Sequence, residues 1–220
     1  MLTADRVLRL LAGAGQAWTT AHGEFHYWRD IAAANAEFEA HGAISGTSRA
    51  TTVREAAAIA EERLHFRVDR VSGDIDVDAR EQRELPARPE AVRIRGAQVE
   101  ARFGSEWRTI TSGPSSIGGL EFLSLLQPSS VHDNVDLLLL AELGAANVAG
   151  RSCVAVDATA KEPDPFGHTL GAPELFAMVA GGTEFRLYID DALGVLMRVE
   201  KIHNGAVAEL AEFTRIVFDQ

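Results

Sequence analysis

From Trp18 onward the pattern of apolar and polar positions has a period of two. Trp18, Thr20, His22, Glu24, His26 and Trp28 alternate with Thr19, Ala21, Gly23, Phe25 and Tyr27, as in a strand with both faces occupied. Before this point the period is helical: Val7, Leu8, Leu11 and Ala14 form one stripe, with Thr3 placed to cap it, which predicts a helix over 4–17. Asp30 is placed to cap a second helix, IAAANAEFEAH, ending at Gly42. After a loop over 44–50, Thr52-x-x-Glu55 reads as a capping box opening an Ala-rich helix to Arg63, followed by the strand LHFRVDR. Ile75 and Val77 continue as an edge strand until Pro86 and Pro89 stop it.

From Ala91 the chain reads as a meander, AVRIR, QVEARF and EWRTI, with turns at Gly96-Ala97 and Gly104-Ser105. Gly119 to Leu126 is apolar and suits a short lid-like helix or plug. Asp136 to Leu143 and Val154 to Ala160 read as strands around an Ala149-Gly150 turn, and Pro173 to Val179 as a helical turn. The strongest local signal lies in Glu184 to Phe218, where three β-rich runs are joined by DALG and HNGA. Asn204-Gly205 supplies two residues that tolerate positive φ, as a two-residue hairpin turn requires. On the last run Leu210 and Phe213 fall on opposite parities beside Glu209 and Glu212, which predicts either a bulge reversing the facing near Ala211 or two partly covered faces. Two or three helices packed on nine or ten strands joined mostly by tight turns predict an α+β fold. Its frame is one large curved antiparallel β-sheet, an open half-barrel wrapped around the helices, with 1–220 forming a single domain.

Composition narrows the function classes. With 21 Lys and Arg against 32 Asp and Glu, a net charge of -11, attraction to phosphate backbones is disfavoured and no nucleic-acid partner is expected. The single cysteine, Cys153, cannot form an intramolecular disulfide. No apolar run is long enough for a transmembrane helix. Asp5, Arg6 and Arg9 interrupt what would be the apolar segment of a signal peptide, and no lipobox-like cysteine follows. A cytoplasmic location is the expectation.

The order helix, strand WTTAHGEFHYWRD, meander and closing block RLYIDDALGVLMRVEKI resembles the LolA-like half-barrels of the lipoprotein-carrier superfamily. The likeness rests chiefly on VAGRSCVAVDA and EFRLYIDDALGVLMRVE, with Gly150, Val154 and Val156, then Leu187, Ile189, Asp190, Gly194, Val195 and Arg198 at the matching turn and core positions. It implies an open, strongly curved sheet around helices, with an apolar space between them. Relatives carry lipoproteins or lipids across an envelope or serve as sensor domains in stress signalling. Lacking a signal peptide and an anchor cysteine, this chain is more similar to the cytoplasmic, actinobacterial-type relatives.

Three functional expectations follow. The first is a non-catalytic module whose concave face takes a lipid or another hydrophobic small molecule, with Phe25, Tyr27, Phe66, Phe103, Trp107 and Phe122 as candidate lining residues and no cofactor. The second is a biosynthetic enzyme using the same cavity, with His22, His26, His65 or a buried carboxylate as acid or base. The third is a regulatory domain with a protein partner. His22, Glu24 and His26 share a strand face, about 6.5 to 7 Å apart at neighbouring Cα atoms. They offer imidazole and carboxylate donors of the kind zinc accepts, although a solvated face is the commoner reading and no metal site is expected. Asp74-x-Asp76-x-Asp78 opens like a calcium loop but has Ala79 and Leu85 where the glycine and the bidentate glutamate belong. Ser129, Ser130, His132 and Asp133 sit in no nucleophile-elbow context, and Cys153 reads as a buried thiol.

Overall fold

The structure is a computed structural model describing residues 4–14, 16–33, 59–83, 88–111, 119–128, 131–132, 135–161 and 184–219. Its frame is a single eleven-stranded sheet. The strands are β1 (Thr20–Asp30), β2 (Ile59–Asp69), β3 (Asp74–Arg83), β4 (Ala91–Arg95), β5 (Gln98–Phe103), β6 (Glu106–Thr109), β7 (Leu138–Val148), β8 (Arg151–Ala160), β9 (Glu184–Asp190), β10 (Leu196–His203) and β11 (Ala206–Asp219). Helix α1 (Ala4–Gly13) precedes them, and helix α2 (Phe122–Leu126) and a 3-10 turn (Val135–Leu137) lie between β6 and β7. Helix is a minor component among the described residues, less than the sequence pattern predicts.

The sheet order β6-β5-β4-β3-β2-β1-β11-β10-β9-β8-β7 joins two antiparallel meanders through the pairing of β1 with β11. Consecutive strands β6 and β7 therefore sit at opposite edges, so the chain between them has to cross the sheet. That crossing carries α2, and it brings Phe122, Leu125 and Leu126, all fully buried, onto the inner face of the central strands. Helix α1 buries Val7 and Leu11 on the same side. The sheet is open and curved, with the helices on its concave face.

Most of the sequence pattern is realised. Asn204 and Gly205 take φ of 51° and 78°, the two positive values that a hairpin turn matching the strand twist needs. Asp30 caps a helical start over 31–33, its Oδ1 accepting from the Ala33 N–H at 2.9 Å. The rest of that predicted helix, the loop over 44–50, the Thr52-x-x-Glu55 box and the turn at Pro173 to Val179 lie outside the described residues.

Three expectations need correction. Residues 59–63 were expected to end a helix; they open β2 and pair with β1, Ile59 opposite Asp30 and Arg63 opposite His26. Alternation decides it, because Ala60, Glu62, Leu64, Phe66 and Val68 are all buried on one parity, and ladder pairing outweighs weak helix propensity. Residues 136–137, read as strand, belong to the 3-10 turn, and β7 runs on to Val148. The irregularity expected near Ala211 resolves into two bulges flanking it. Ala208 is the extra residue opposite β10, between the pairs Lys201 with Glu209 and Ile202 with Val207. Thr214 is the extra residue opposite β1, between Glu24 with Arg215 and Phe25 with Phe213.

Candidate functional site

The concave face is graded from apolar to ionic. Strand parity sends Ala21, Phe25 and Tyr27 of β1 inward, with Leu64 and Phe66 of β2, Val92 of β4, and Ala211 and Phe213 of β11. At the centre four rings close on one another. Phe66 stacks on Phe122 with centroids 4.6 Å apart and lies 5.3 Å from Phe213, while Phe25 meets Phe213 at 5.8 Å and Phe122 at 6.1 Å. Offset and tilted contacts at these separations are favoured beyond the area they bury. Helix α2 thus acts as the plug that the apolar run over 119–126 predicts.

Towards the end of the face where β1 stops and β11 begins, the same inward parity presents charge. Tyr27 donates its hydroxyl to Glu209 Oε1 at 2.5 Å. Next to it Glu62, opposite Tyr27 in the β1–β2 register, accepts from Arg88 at 2.6 Å and from Gln82 at 2.7 Å. Arg88 also donates to Glu121 at 2.5 and 3.1 Å, and its guanidinium lies over the Tyr27 ring, 5.6 Å from the centroid. The Gly119 N–H also donates to Glu121 Oε2, at 2.9 Å. Glu62, Glu121 and Glu209 are all buried, so Arg88 fastens the plug helix to β2 through two carboxylates. Burial raises the Glu62 carboxyl above its ordinary range even against the Arg88 charge. Burial, reinforced by the Glu209 charge, pushes the Tyr27 hydroxyl far above its usual value, so Tyr27 is a neutral donor at physiological pH.

The convex face carries the other candidates. His22, Glu24 and His26 do share a face there, but Glu24 and His26 turn to different partners. His26 bridges Glu61 at 3.0 Å and Glu212 at 3.4 Å, while Glu24 sits 3.6 Å from His65. Among the described residues no cluster of three or more His, Cys, Asp or Glu side chains is arranged to hold a metal ion. The histidines named for acid–base work, His22, His26 and His65, all lie on this outer face, away from the concave cavity that reading invokes. Their rows continue as hydrogen bonds and ion pairs across the sheet, running Asp157, Arg186, Glu200, Arg198, Glu212, His26, Glu61. Cys153 is buried, its thiol pushed up to about 11 by burial and by the neighbouring Asp190 charge, an unreactive state.

Of the six aromatic candidates, Phe25, Tyr27, Phe66 and Phe122 come together on the concave side. Phe103 faces the same way but is half-buried at the margin, with the Arg108 guanidinium 5.6 Å from its ring. Trp107 is on the opposite face: it pairs with Arg102 on β5 and is exposed at 36%. The alternation of β6 reverses the expectation that it lines the interior. Arg88, Glu62, Glu121 and Glu209 were not singled out from the sequence. Glu62 carries a usable signal, a lone carboxylate on the apolar parity of β2, whereas Arg88 sits in a proline-flanked loop where no periodicity applies.

No family model and no curated protein matches this chain. Solved structures do. MucB superposes with a TM-score of 0.54 at 16% identity, covering 99% of this chain and 59% of that one. The MucA/MucB complex from Pseudomonas aeruginosa gives 0.49 at 14% identity, with 97% and 56% covered. Lipoprotein LppX from Mycobacterium tuberculosis gives 0.42 at 12% identity, with 95% and 92% covered. The chain spans little more than half the length of MucB, and at this identity the likeness speaks for the fold. An open, curved antiparallel sheet with its helices on the concave side, superposing on MucB over 99% of this chain, has the fold of the LolA-like half-barrels.

Proposed function

We propose that this protein is a non-catalytic binding module whose concave face takes a lipid or another hydrophobic small molecule. One observation carries the reading: among the described residues the apolar centre of that face is closed by the five-residue helix α2 rather than by a second sheet. A five-residue helix held by two ring contacts of Phe122, by buried Leu125 and Leu126 and by one arginine clamp can be displaced as a unit, and displacing it exposes Phe25, Phe66 and Phe213 as a ready apolar lining.

The test is native mass spectrometry and solvent extraction of the purified chain, followed by titration with a fluorescent fatty acid. The reading expects either a co-purifying lipid or saturable probe binding. Phe122→Leu, which shortens the plug while keeping it apolar, should tighten probe binding; Phe122→Ala does so more strongly but costs about 3–5 kcal/mol of stability. If neither the natural chain nor the folded Phe122→Leu variant binds any probe, the concave face is core and the proposal fails.

A further inference from the structure

The convex face has a depression of its own, about 400 Å³ in volume and within the range of small-ligand sites. Its position follows from the strand register. Across β2 to β6 one row runs His65, Asp78, Ala91, Arg102, Trp107, and Ala91 alone has no side chain beyond Cβ. The missing bulk makes the floor, and the long neighbours make the walls. The next row adds Arg67, Asp76 and Arg93.

The charges in these walls are unevenly used. Asp76 is held by Arg95 at 2.6 Å, and Asp78 by Arg102 at 3.4 Å and Arg80 at 3.5 Å. Neither Arg67 nor Arg93 makes an ion pair among the described residues. Arg93 is positioned instead by stacking, its guanidinium 4.2 Å from the Trp107 ring centroid. Stacking uses the face of a guanidinium and leaves its edge of N–H donors free, the arrangement that receives a carboxylate or phosphate bidentately. Arg102 is partly committed, to Asp78 and, at 4.0 Å from its Nε, to Glu90, although that buried Nε has no hydrogen-bond partner. A protein of net charge -11 repels anions at long range, so two guanidinium groups without an ion-pair partner beside one hollow stand out locally.

From this geometry we infer that the depression binds a small organic anion, a phosphate monoester or carboxylate, with Arg93 and Arg67 holding the oxyanion and the exposed rim of Trp107 flanking its organic part. The site is independent of the concave face and of any ligand there. Its occupant is a soluble molecule rather than a membrane surface, because the donors line a hollow rather than a flat face.

Phenyl phosphate is the probe, titrated into the full chain by calorimetry at low salt. Saturable binding is expected, weakened about tenfold or more in Arg93→Met, as the loss of charge-assisted hydrogen bonds requires. Arg93→Lys should recover only part of it. Arg83→Met removes an equal charge from an exposed position on β3 and should leave binding unchanged. No saturable heat with phenyl phosphate overturns the inference, as does equal weakening in Arg93→Met and Arg83→Met. Binding to phosphatidylserine vesicles, but to neither phenyl phosphate nor phosphatidylcholine vesicles, overturns it in favour of a membrane-facing surface.

Discussion

Replacing Arg88 by methionine tests whether the ionic end of the concave face is held as described. The change keeps the apolar stem and removes the one guanidinium that meets both Glu62 and Glu121. Those carboxylates are 1% and 9% exposed at their side chains, and Arg88 itself 16%, so solvent replaces little of what is lost. Removing one partner of a buried pair costs about 3–5 kcal/mol, because the other charge stays buried and unpaired. At about 2–4 °C per kcal/mol for a domain of this size, the melting temperature falls by roughly 6–20 °C. The loss depends on pH with a definite sign. Glu62 is already raised above its unfolded value by burial, and removing Arg88 raises it further. A carboxyl raised on folding contributes stability that is fully present below its unfolded pKa and lost as pH rises through the folded one. The gap between Arg88→Met and the natural protein should therefore be widest near pH 8 and narrow towards pH 4. Adding Glu62→Gln and Glu121→Gln should return most of the stability at pH 8. Thermal denaturation by circular dichroism across that range is the assay, and a gap below about 2 °C at pH 8, or one indifferent to pH, refutes the clamp.

Gly194 combines φ of 73° with close packing, since a Cβ there would run into the Leu10 carbonyl of α1. Gly194→Ala should cost more than the roughly 1 kcal/mol that positive φ alone imposes, read as a lowered denaturation midpoint with an unchanged slope. At the centre of the convex ladder, the hydrogen bond from His26 is the largest cause holding the Glu212 carboxyl below its ordinary range. The stability this gives is present above the unfolded pKa and lost as pH falls through the lower folded one. His26→Gln should cost about 1 kcal/mol at pH 6 and shift the acid-unfolding midpoint upward, measured by fluorescence during acid titration.

Local rules made much of the sheet readable in advance. Asn204-Gly205 is a turn because both residues tolerate the φ it requires, and the alternation of β1 divides Phe25 and Tyr27 from His22, Glu24 and His26 as the structure does. What could not be read depended on partners far away in the chain. Ile59 to Arg63 looks helical until β1 is beside it. Trp107 looks like a pocket aromatic until the register with Arg102 puts it outside. Arg88 has no pattern of its own and acquires a role only when the crossing from β6 to β7 brings Glu121 opposite Glu62.

The facing of β11 shows how the graded interior is built. Glu209, Ala211 and Phe213 point inward on odd positions, and Ile216 is the next buried residue, so the parity changes across Thr214. Without the extra residue, regular alternation after Phe213 would turn Ile216 to solvent and Arg215 into the core. The bulge presses the Arg215 carbonyl towards β1, and the residue facing it is Gly23, where any Cβ would collide with that backbone oxygen. Gly23 therefore belongs to the bulge rather than to the strand pattern around it. Bulges bend a sheet and increase its twist, and this one sits where β1 and β11 join the two meanders. The same residue that restores apolar facing at one end thus helps curve the sheet around α2, which leaves Tyr27 and Glu209 together at the other end to meet Arg88 and its carboxylates.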